Sequence, residues 1–299
     1  MGRGHPECPE RLEAIAEALE ATGLIERLEV HQARAARRDE LALSHPADYL
    51  DALCERLAAV TEAVQLDPDT AANAHTLTAA LHAAGAALQA TELVLAGTVQ
   101  NAFCAVRPPG HHAMRAKAMG FCFFSNVAVA VRAALRRHGL KRVAVIDFDV
   151  HHGNGTEDVL ADDPGVLMVG LFEHPLYPFS GVPPLGGNML NLPMPAHTGS
   201  QEVREAIRAH WLPALERFKP EMLFISAGFD AHQLDPLGLL RLTEVDYAWI
   251  TEQLVDVAAR HAKGRIVSCL EGGYHLNALA RSVCAHVRVL VQAGGVSIG

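Results

Sequence analysis

The chain has 299 residues, half of them hydrophobic, and its 34 acidic and 25 basic side chains give a formal net charge of −9. Such a composition is typical of a soluble globular protein, and it excludes a disordered or fibrous chain and a broad basic surface for nucleic acid. Because we find no signal-peptide core near the first residue and no apolar run of the roughly 20 residues that span a bilayer, we expect a cytoplasmic protein without a membrane partner.

The six cysteines have no C-x-x-C spacing, and several lie inside apolar runs. We interpret them as small buried side chains in a reducing compartment, which agrees with the cytoplasm. The sequence is compatible with a homo-oligomer but does not specify one.

The first hundred residues are predicted to be mainly helical. Apolar residues recur with helical spacing from Leu12 to Leu19, and Gly23 ends that helix. Two alanine-rich helices are expected at about 46–60 and 76–96, with a loop between them.

From residue 100 onward, short apolar runs alternate with helical patterns. Runs that are apolar throughout are typical of strands covered on both faces, as in a parallel sheet. The alternation therefore predicts an α/β protein with a doubly wound parallel sheet, in which ligands bind beyond the carboxyl ends of the strands. The predicted strands are 101–106, 142–147, 166–171, 221–226 and 265–270. The predicted helices are 125–138, about 200–217, 243–261 and about 276–292.

Polar clusters come directly after four of these strands. They read "RPPGHH", "DFDVHHGNG", "AGFDAH" and "EGGYH". Since the carboxyl ends of parallel strands meet at one edge of a sheet, we expect a single composite active site there.

The second cluster has the spacing of a metal site. Asp147, Asp149 and His151 are two residues apart, so in an extended chain their side chains point to the same side. Asp149 and His151, with Asp230 from the neighbouring cluster, predict a three-ligand site with an open position. That arrangement is typical of catalytic zinc, although a carboxylate-rich shell also admits iron(II) or manganese(II).

These clusters resemble the successive motifs of the zinc-dependent histone deacetylase superfamily. The resemblance is to the class II branch of this superfamily, which includes bacterial histone deacetylase-like amidohydrolases and acetylpolyamine amidohydrolases. The motifs run from "GHPECPERL" at residue 4 to about residue 290, through "RPPGHHA", "GFCFFSNVAVA", "DFDVHHGNGT", "LYPFSG", "SAGFDAHQLDPLG" and "LEGGY". The resemblance implies one catalytic domain over residues 1–299, folded as an arginase/deacetylase-like three-layer αβα sandwich with a mostly parallel sheet of about eight strands.

The resemblance also implies roles for individual residues. The implied zinc ligands are Asp149, His151 and Asp230, and the implied catalytic residues are His111, His112, Asp147, Asn154 and Tyr274. A structural K⁺ or Na⁺ is implied at Asp147 and at backbone carbonyls around Asp149, His151, Gly170 and Leu171. The implied walls of an acyl-lysine tunnel are Gly120, Phe121, Tyr177 and Leu237.

These residue types suit amide hydrolysis. Zinc polarises a carbonyl and lowers the pKa of bound water to about 7, and His112 is expected to accept the water proton and return it to the leaving amine. His111, paired with Asp147, is expected to act as a cation, and Tyr274 to donate a hydrogen bond to the oxyanion. Asn154 replaces an aspartate of other branches, and because an amide adds no charge we expect His112 to stay neutral near pH 7.

The start of the chain departs from the family. Members usually have a β-strand before the "GHPE" loop, whereas only Met1, Gly2 and Arg3 precede Gly4. A start codon assigned too far downstream or a shortened chain would explain this, and a missing strand would leave its neighbours unpaired.

The expected reaction releases acetate from an acetylated lysine side chain or an acetylated polyamine, and the sequence leaves that choice open. An arginase-like ureohydrolase would need further Asp and His ligands for two metals, which we do not find. The alternative of another class is a weakly active acyl-lysine binding protein, and the presence of Tyr274 argues against it.

Overall fold

A parallel sheet of six strands forms the centre of the fold in the computed structural model, which describes residue 2 and residues 4–295. The strands are β1 (Val64–Asp67), β2 (Thr70–Ala72), β3 (Asn101–Cys104), β4 (Val143–Asp147), β5 (Val166–Glu173), β6 (Met189–Met194), β7 (Met222–Ala227) and β8 (Ile266–Leu270). The order in the sheet is β3-β8-β7-β4-β5-β6, with every neighbouring pair parallel, while β1 and β2 form a separate antiparallel pair.

Helices cover both faces of this sheet. They are α1 (Glu10–Ala21), α2 (Arg38–Leu41), α3 (Ala47–Ala58), α4 (Thr76–Ala96), α5 (Asn126–Arg136), α6 (Asn154–Leu160), α7 (Ser200–Ala206), α8 (Leu212–Phe218), α9 (Glu244–His261) and α10 (Leu276–Ala293). A 3-10 turn at Ile25–Arg27 follows α1, and a π-helical turn at Ile207–Trp211 joins α7 to α8.

Alternate residues of the central strands face two different cores, as expected for buried parallel strands. In β4, Ala144 and Ile146 belong to the core that α1, α9 and α10 close. Val143 and Val145 belong to the core that α4 and α5 close. This arrangement confirms the predicted three-layer αβα sandwich.

The predicted strand count of about eight is wrong, since the central sheet of the described residues has six. Residues 28–31 and Ala33 line the same cavity of about 600 Å³ as β3, but they are not paired with β3, which therefore remains an edge strand in the described part of the chain. The prediction of a shortened amino terminus falls partly on Met1 and Arg3, which lie outside the described residues.

Helix α4 is, by length and a mean hydropathy of 1.2, apolar enough to cross a membrane, contrary to our expectation for this sequence. Of its 18-residue apolar window, 56% is buried inside the protein, and the helix packs against α5 and β3. Its apolar character follows from its position between the sheet and neighbouring helices, and a single such helix is weak evidence for a membrane span.

Candidate metal and catalytic site

The ends of β4 and β7 bring three predicted metal ligands together. The two strands are neighbours, with Asp147 opposite Ser226. Asp149 and His151 follow β4, and Asp230 follows β7, so the parallel strand direction delivers all three side chains to the same edge of the sheet.

One ligand atom from each of Asp149, His151 and Asp230 lies within 4.8 Å of the others. Nδ1 of His151 is 3.0 Å from Oδ1 of Asp149 and 3.1 Å from Oδ2 of Asp230. Glycines border the cluster: a Cβ on Gly228 would lie 2.1 Å from Oδ2 of Asp149, and one on Gly272 would lie 1.9 Å from Oδ2 of Asp230. Side chains at either glycine would therefore displace the carboxylates.

The electrostatics of this cluster fit a bound cation. Burial and the neighbouring Asp149 raise the pKa of Asp230 to about 7. Burial lowers the pKa of His151, but hydrogen bonds to both carboxylates outweigh it and raise that pKa to about 10. A proton on His151 thus offsets two buried carboxylates, and a divalent cation can replace it. Two carboxylate oxygens and one imidazole nitrogen suit zinc, and also iron(II).

The tandem histidines lie beside this cluster, buried and with ring centroids 4.0 Å apart. Nδ1 of His111 is 3.1 Å from Oδ2 of Asp147, and Nδ1 of His112 is 2.7 Å from Oδ1 of Asn154. Burial lowers the pKa of both imidazoles. At His111 the carboxylates of Asp149 and Asp147 outweigh burial and hold the pKa well above its usual value. At His112 burial and the neighbouring His111 hold the pKa well below it.

The partner of His112 also sets its tautomer. Because the amide oxygen of Asn154 accepts the hydrogen bond from Nδ1–H, Nε2 of His112 is left as a proton acceptor. The site therefore contains one cationic and one neutral imidazole side by side.

The loop after β8 carries Tyr274. The N–H of Gly272 donates to Oδ2 of Asp149 over 2.8 Å, which joins the loop directly to the metal-ligand cluster. Burial raises the pKa of Tyr274 well above its usual value, so its phenol stays protonated and can donate a hydrogen bond.

Three buried ionisable side chains that were not among the predicted site residues also support the site. Arg11 donates to the carbonyl oxygens of Gly273 and Glu271. Oε2 of Glu271 accepts hydrogen bonds from the backbone N–H groups of Gly110 and His111, at the start of the tandem-histidine segment, over 2.7 and 3.1 Å. Asp235, the third, accepts hydrogen bonds from backbone N–H groups of two loops, those of Leu237 and Tyr274. All three lie inside the sequence motifs of the site ("PERL", "LEGGY" and "LDPLG"). Their position as ionisable residues within those motifs is the signal by which the sequence could have identified them.

The predicted tunnel residues lie in two groups. A Cβ on Gly120 would come 2.4 Å from Cδ2 of His112, so this glycine lets the chain pack closely against the imidazole. The ring of Tyr177 lies edge-on to His112 at 5.2 Å, and the ring of Phe121 lies edge-on to Tyr274 at 6.0 Å. These three residues thus adjoin the predicted catalytic side chains.

Leu237 is connected to the site through Asp235. It is partly buried, and its N–H donates to Oδ1 of Asp235 over 3.0 Å. The residues of the predicted monovalent-cation site lie near the end of β4, where Asp147 pairs in register with Gly170 inside β5; Leu171 is next along β5, and Asp149 and His151 follow β4.

Comparison with known proteins identifies the family. The histone deacetylase domain matches residues 5–290 of the chain. A histone deacetylase-like amidohydrolase of Pseudomonas aeruginosa is 40% identical over 280 residues, which cover 91% of this chain and 73% of that protein. The mouse (Mus musculus) polyamine deacetylase HDAC10 is 40% identical over 95% of this chain and 45% of its own length.

A solved structure, the HD domain of HDA15, superposes with a TM-score of 0.92 at 35% identity, covering 98% of this chain and 85% of that one. The chain therefore belongs to the histone deacetylase family. This confirms the predicted family, the fold class and the enzyme class, a hydrolase that acts on amides.

Proposed function

We propose that the protein is a zinc-dependent amidohydrolase that removes the acetyl group from an acetylated primary amine and releases acetate. The observation that carries the proposal is the cluster of Asp149, His151 and Asp230 beside two histidines of opposite protonation. Membership of the histone deacetylase family supports the same reaction, and residues 5–290 act as one catalytic domain in this proposal.

Asp149, His151 and Asp230 would hold a zinc ion, which would supply Lewis acidity to polarise an amide carbonyl and acidify water. Neutral His112 accepts a water proton on Nε2 and delivers it to the leaving amine. The cationic His111, held by Asp147, stabilises the negative charge that develops. Tyr274 donates a hydrogen bond to the oxyanion, a contact whose removal commonly costs about 10²–10³ in kcat. Asn154 orients His112 without adding charge.

We propose further that a K⁺ or Na⁺ ion binds at Asp147, with backbone carbonyls around Asp149, His151, Gly170 and Leu171. Support comes from the burial of Asp147, which is 2% exposed and whose pKa burial raises. A cation beside this carboxylate would keep it ionised, so that it could continue to stabilise His111.

An acetylated lysine side chain is the first candidate substrate. Gly120, Phe121, Tyr177 and Leu237 would line its aliphatic stem, with one aromatic ring beside His112 and the other beside Tyr274. Apolar and aromatic walls suit a chain of methylene groups.

An acetylated polyamine is the second candidate, favoured by one feature of the rim. Asp69 lies next to the tunnel wall, where Oδ1 accepts from the N–H of Gly120 over 3.2 Å, and Asp67 lies two residues before it. These carboxylates could meet a distal ammonium group. The mouse relative of 40% identity is named a polyamine deacetylase.

We place the enzyme in the cytoplasm, without nucleic-acid or membrane partners, and leave open a homo-oligomer. All six cysteines are free, in agreement with a reducing compartment. The net charge of −9 argues against binding to nucleic acid.

Turnover by the zinc-reconstituted protein tests the proposal. We expect hydrolysis of an acetyl-lysine or trifluoroacetyl-lysine peptide, and the ratio of kcat/KM between these and acetylputrescine or acetylspermidine assigns the substrate class. The Tyr274→Phe variant is the matched control, since it removes only one hydroxyl. Binding of all four compounds without hydrolysis would contradict the hydrolase assignment and favour an acyl-lysine binding protein.

A further inference from the structure

The peptide bond between Gly273 and Tyr274 is held at both of its polar atoms by buried ionisable side chains. The carbonyl oxygen of Gly273 accepts a hydrogen bond of 2.7 Å from Nε of Arg11. The N–H of Tyr274 donates a hydrogen bond of 2.7 Å to Oδ2 of Asp235. Arg11 is 0% and Asp235 8% exposed, so water competes little for either contact. Because charge-assisted hydrogen bonds are roughly twice as strong as neutral ones, this pair fixes the plane of the peptide.

The chain needs such a constraint at this point. Gly272 and Gly273 precede Tyr274, and Gly273 has a φ of +117°, a conformation open to glycine and strained for other residues. Glycine leaves the backbone free to rotate, so the loop alone would not hold the phenol at a fixed position. A displacement of about 1 Å in a catalytic group can cost about 10²-fold in rate.

Asp235 also joins this loop to the tunnel. Its Oδ1 accepts from the N–H of Leu237 over 3.0 Å, while Oδ2 accepts from Tyr274 and, over 3.3 Å, from His275. One carboxylate therefore connects the loop after β7 with the loop after β8.

We propose that Asp235 is a positioning residue that sets the location of Tyr274 through the Gly273–Tyr274 peptide and couples it to the tunnel wall at Leu237. It touches neither substrate nor metal ligand in this role. The inference rests on the proposed function, since it assigns Tyr274 the donation to the oxyanion.

A double-mutant cycle between Asp235 and Tyr274 tests the inference. Asp235→Asn keeps the shape but leaves one acceptor oxygen for three N–H donors. If Asp235 acts through Tyr274, Asp235→Asn lowers kcat about 10–100-fold in the wild-type background but less than about 3-fold in the Tyr274→Phe background, with KM and zinc content little changed. An equal loss in both backgrounds, or an unchanged kcat in the first, would overturn the inference.

The matched control is Asp246→Asn. Asp246 is another buried carboxylate, 2% exposed, whose Oδ2 accepts from the N–H of Thr243 over 3.0 Å at the start of α9. This variant should lower the thermal stability and leave kcat within about 2-fold in both backgrounds.

Crystal structures of the Asp235→Asn variant and the wild type give a readout that needs no turnover. The inference predicts that the Tyr274 hydroxyl moves by about 1 Å or more, and an unmoved hydroxyl contradicts it. If the wild type hydrolyses none of the acetylated amines, the proposed function fails, and this displacement alone decides the role of Asp235.

Discussion

The two adjacent histidines of the site differ in pKa because burial and the neighbouring His111 lower the pKa of His112, whereas the carboxylates of Asp149 and Asp147 outweigh burial at His111. His111 faces the carboxylate of Asp147, which favours the imidazolium, whereas His112 faces the neutral amide of Asn154. A carboxylate at position 154 would therefore add a charge that opposes the lowering of the His112 pKa.

We predict that Asn154→Asp raises the pKa of His112 and moves the acidic limb of the kcat/KM profile to higher pH. A carboxylate favours the imidazolium, and His112 accepts a proton only when neutral, so activity must fall at a higher pH than in the wild type. Steady-state kinetics across pH 5–9 measure the shift.

Asn73→Asp is the control for this variant, because it adds the same charge at the turn before α4, where Oδ1 accepts from the N–H of His75. Its profile should match that of the wild type. An acidic limb that stays in place in Asn154→Asp would contradict the assignment of His112 as the base.

Helix α4 passes unusually close to the extended chain that precedes α2. A Cβ on Gly85 would lie 1.8 Å from the carbonyl oxygen of Arg34. The glycine in the middle of this long helix is therefore required by packing, although alanine is the better helix former.

We predict that Gly85→Ala destabilises the protein by about 1–3 kcal/mol, since the overlap must be relieved by moving α4 or the chain at Arg34. Urea unfolding measures the change in the free energy of unfolding. Gly187→Ala is the matched control, because no atom lies within 4 Å of a Cβ there. An unchanged or increased stability in Gly85→Ala would show that the contact is not present.

The predictable elements were those with uniform apolar runs or a long helical pattern. The five apolar strands and the helices at 46–60, 76–96 and 243–261 appear within a few residues of their predicted limits. Strand β6 escaped prediction because it lies at the sheet edge, is partly exposed and contains Pro193. The β1–β2 hairpin escaped because the Asp and Pro residues at its turn are typical of a loop.

The part of the site that could be predicted consists of residues whose side-chain chemistry and spacing form a recognisable motif. Asp149, His151 and Asp230 could be grouped from spacing and strand order alone. Asp235 and Arg11 support the site through hydrogen bonds to particular backbone groups. Such contacts form only when loops that are distant in sequence fold together, so they could not be predicted.

In the folded protein as a whole, the metal-free ligand cluster makes stability depend on pH. The pKa of His151 is about 10 against a usual 6.5, so its contribution to stability is complete below about pH 6.5 and is lost as the pH rises towards 10. The pKa of Asp230 is about 7 against a usual 3.8, so stability also falls as the pH rises between these values.

We predict that zinc raises the melting temperature more at pH 8 than at pH 6. Zinc replaces the protons that the cluster holds, so its binding strengthens as the pH rises, while the metal-free protein becomes less stable. Differential scanning calorimetry with and without zinc at the two pH values measures both gains. Asp230→Asn, which removes one ligand charge, should lose most of the gain, whereas an equal gain at both pH values would exclude exchange of zinc for protons.

The most direct test of the metal centre is anomalous diffraction at the zinc edge from crystals of the zinc-loaded protein. We predict one strong peak per chain, about 2.0–2.2 Å from a carboxylate oxygen of Asp149, Nδ1 of His151 and a carboxylate oxygen of Asp230. A peak bound elsewhere, with these three side chains turned away from it, would contradict the proposed centre and the roles assigned around it.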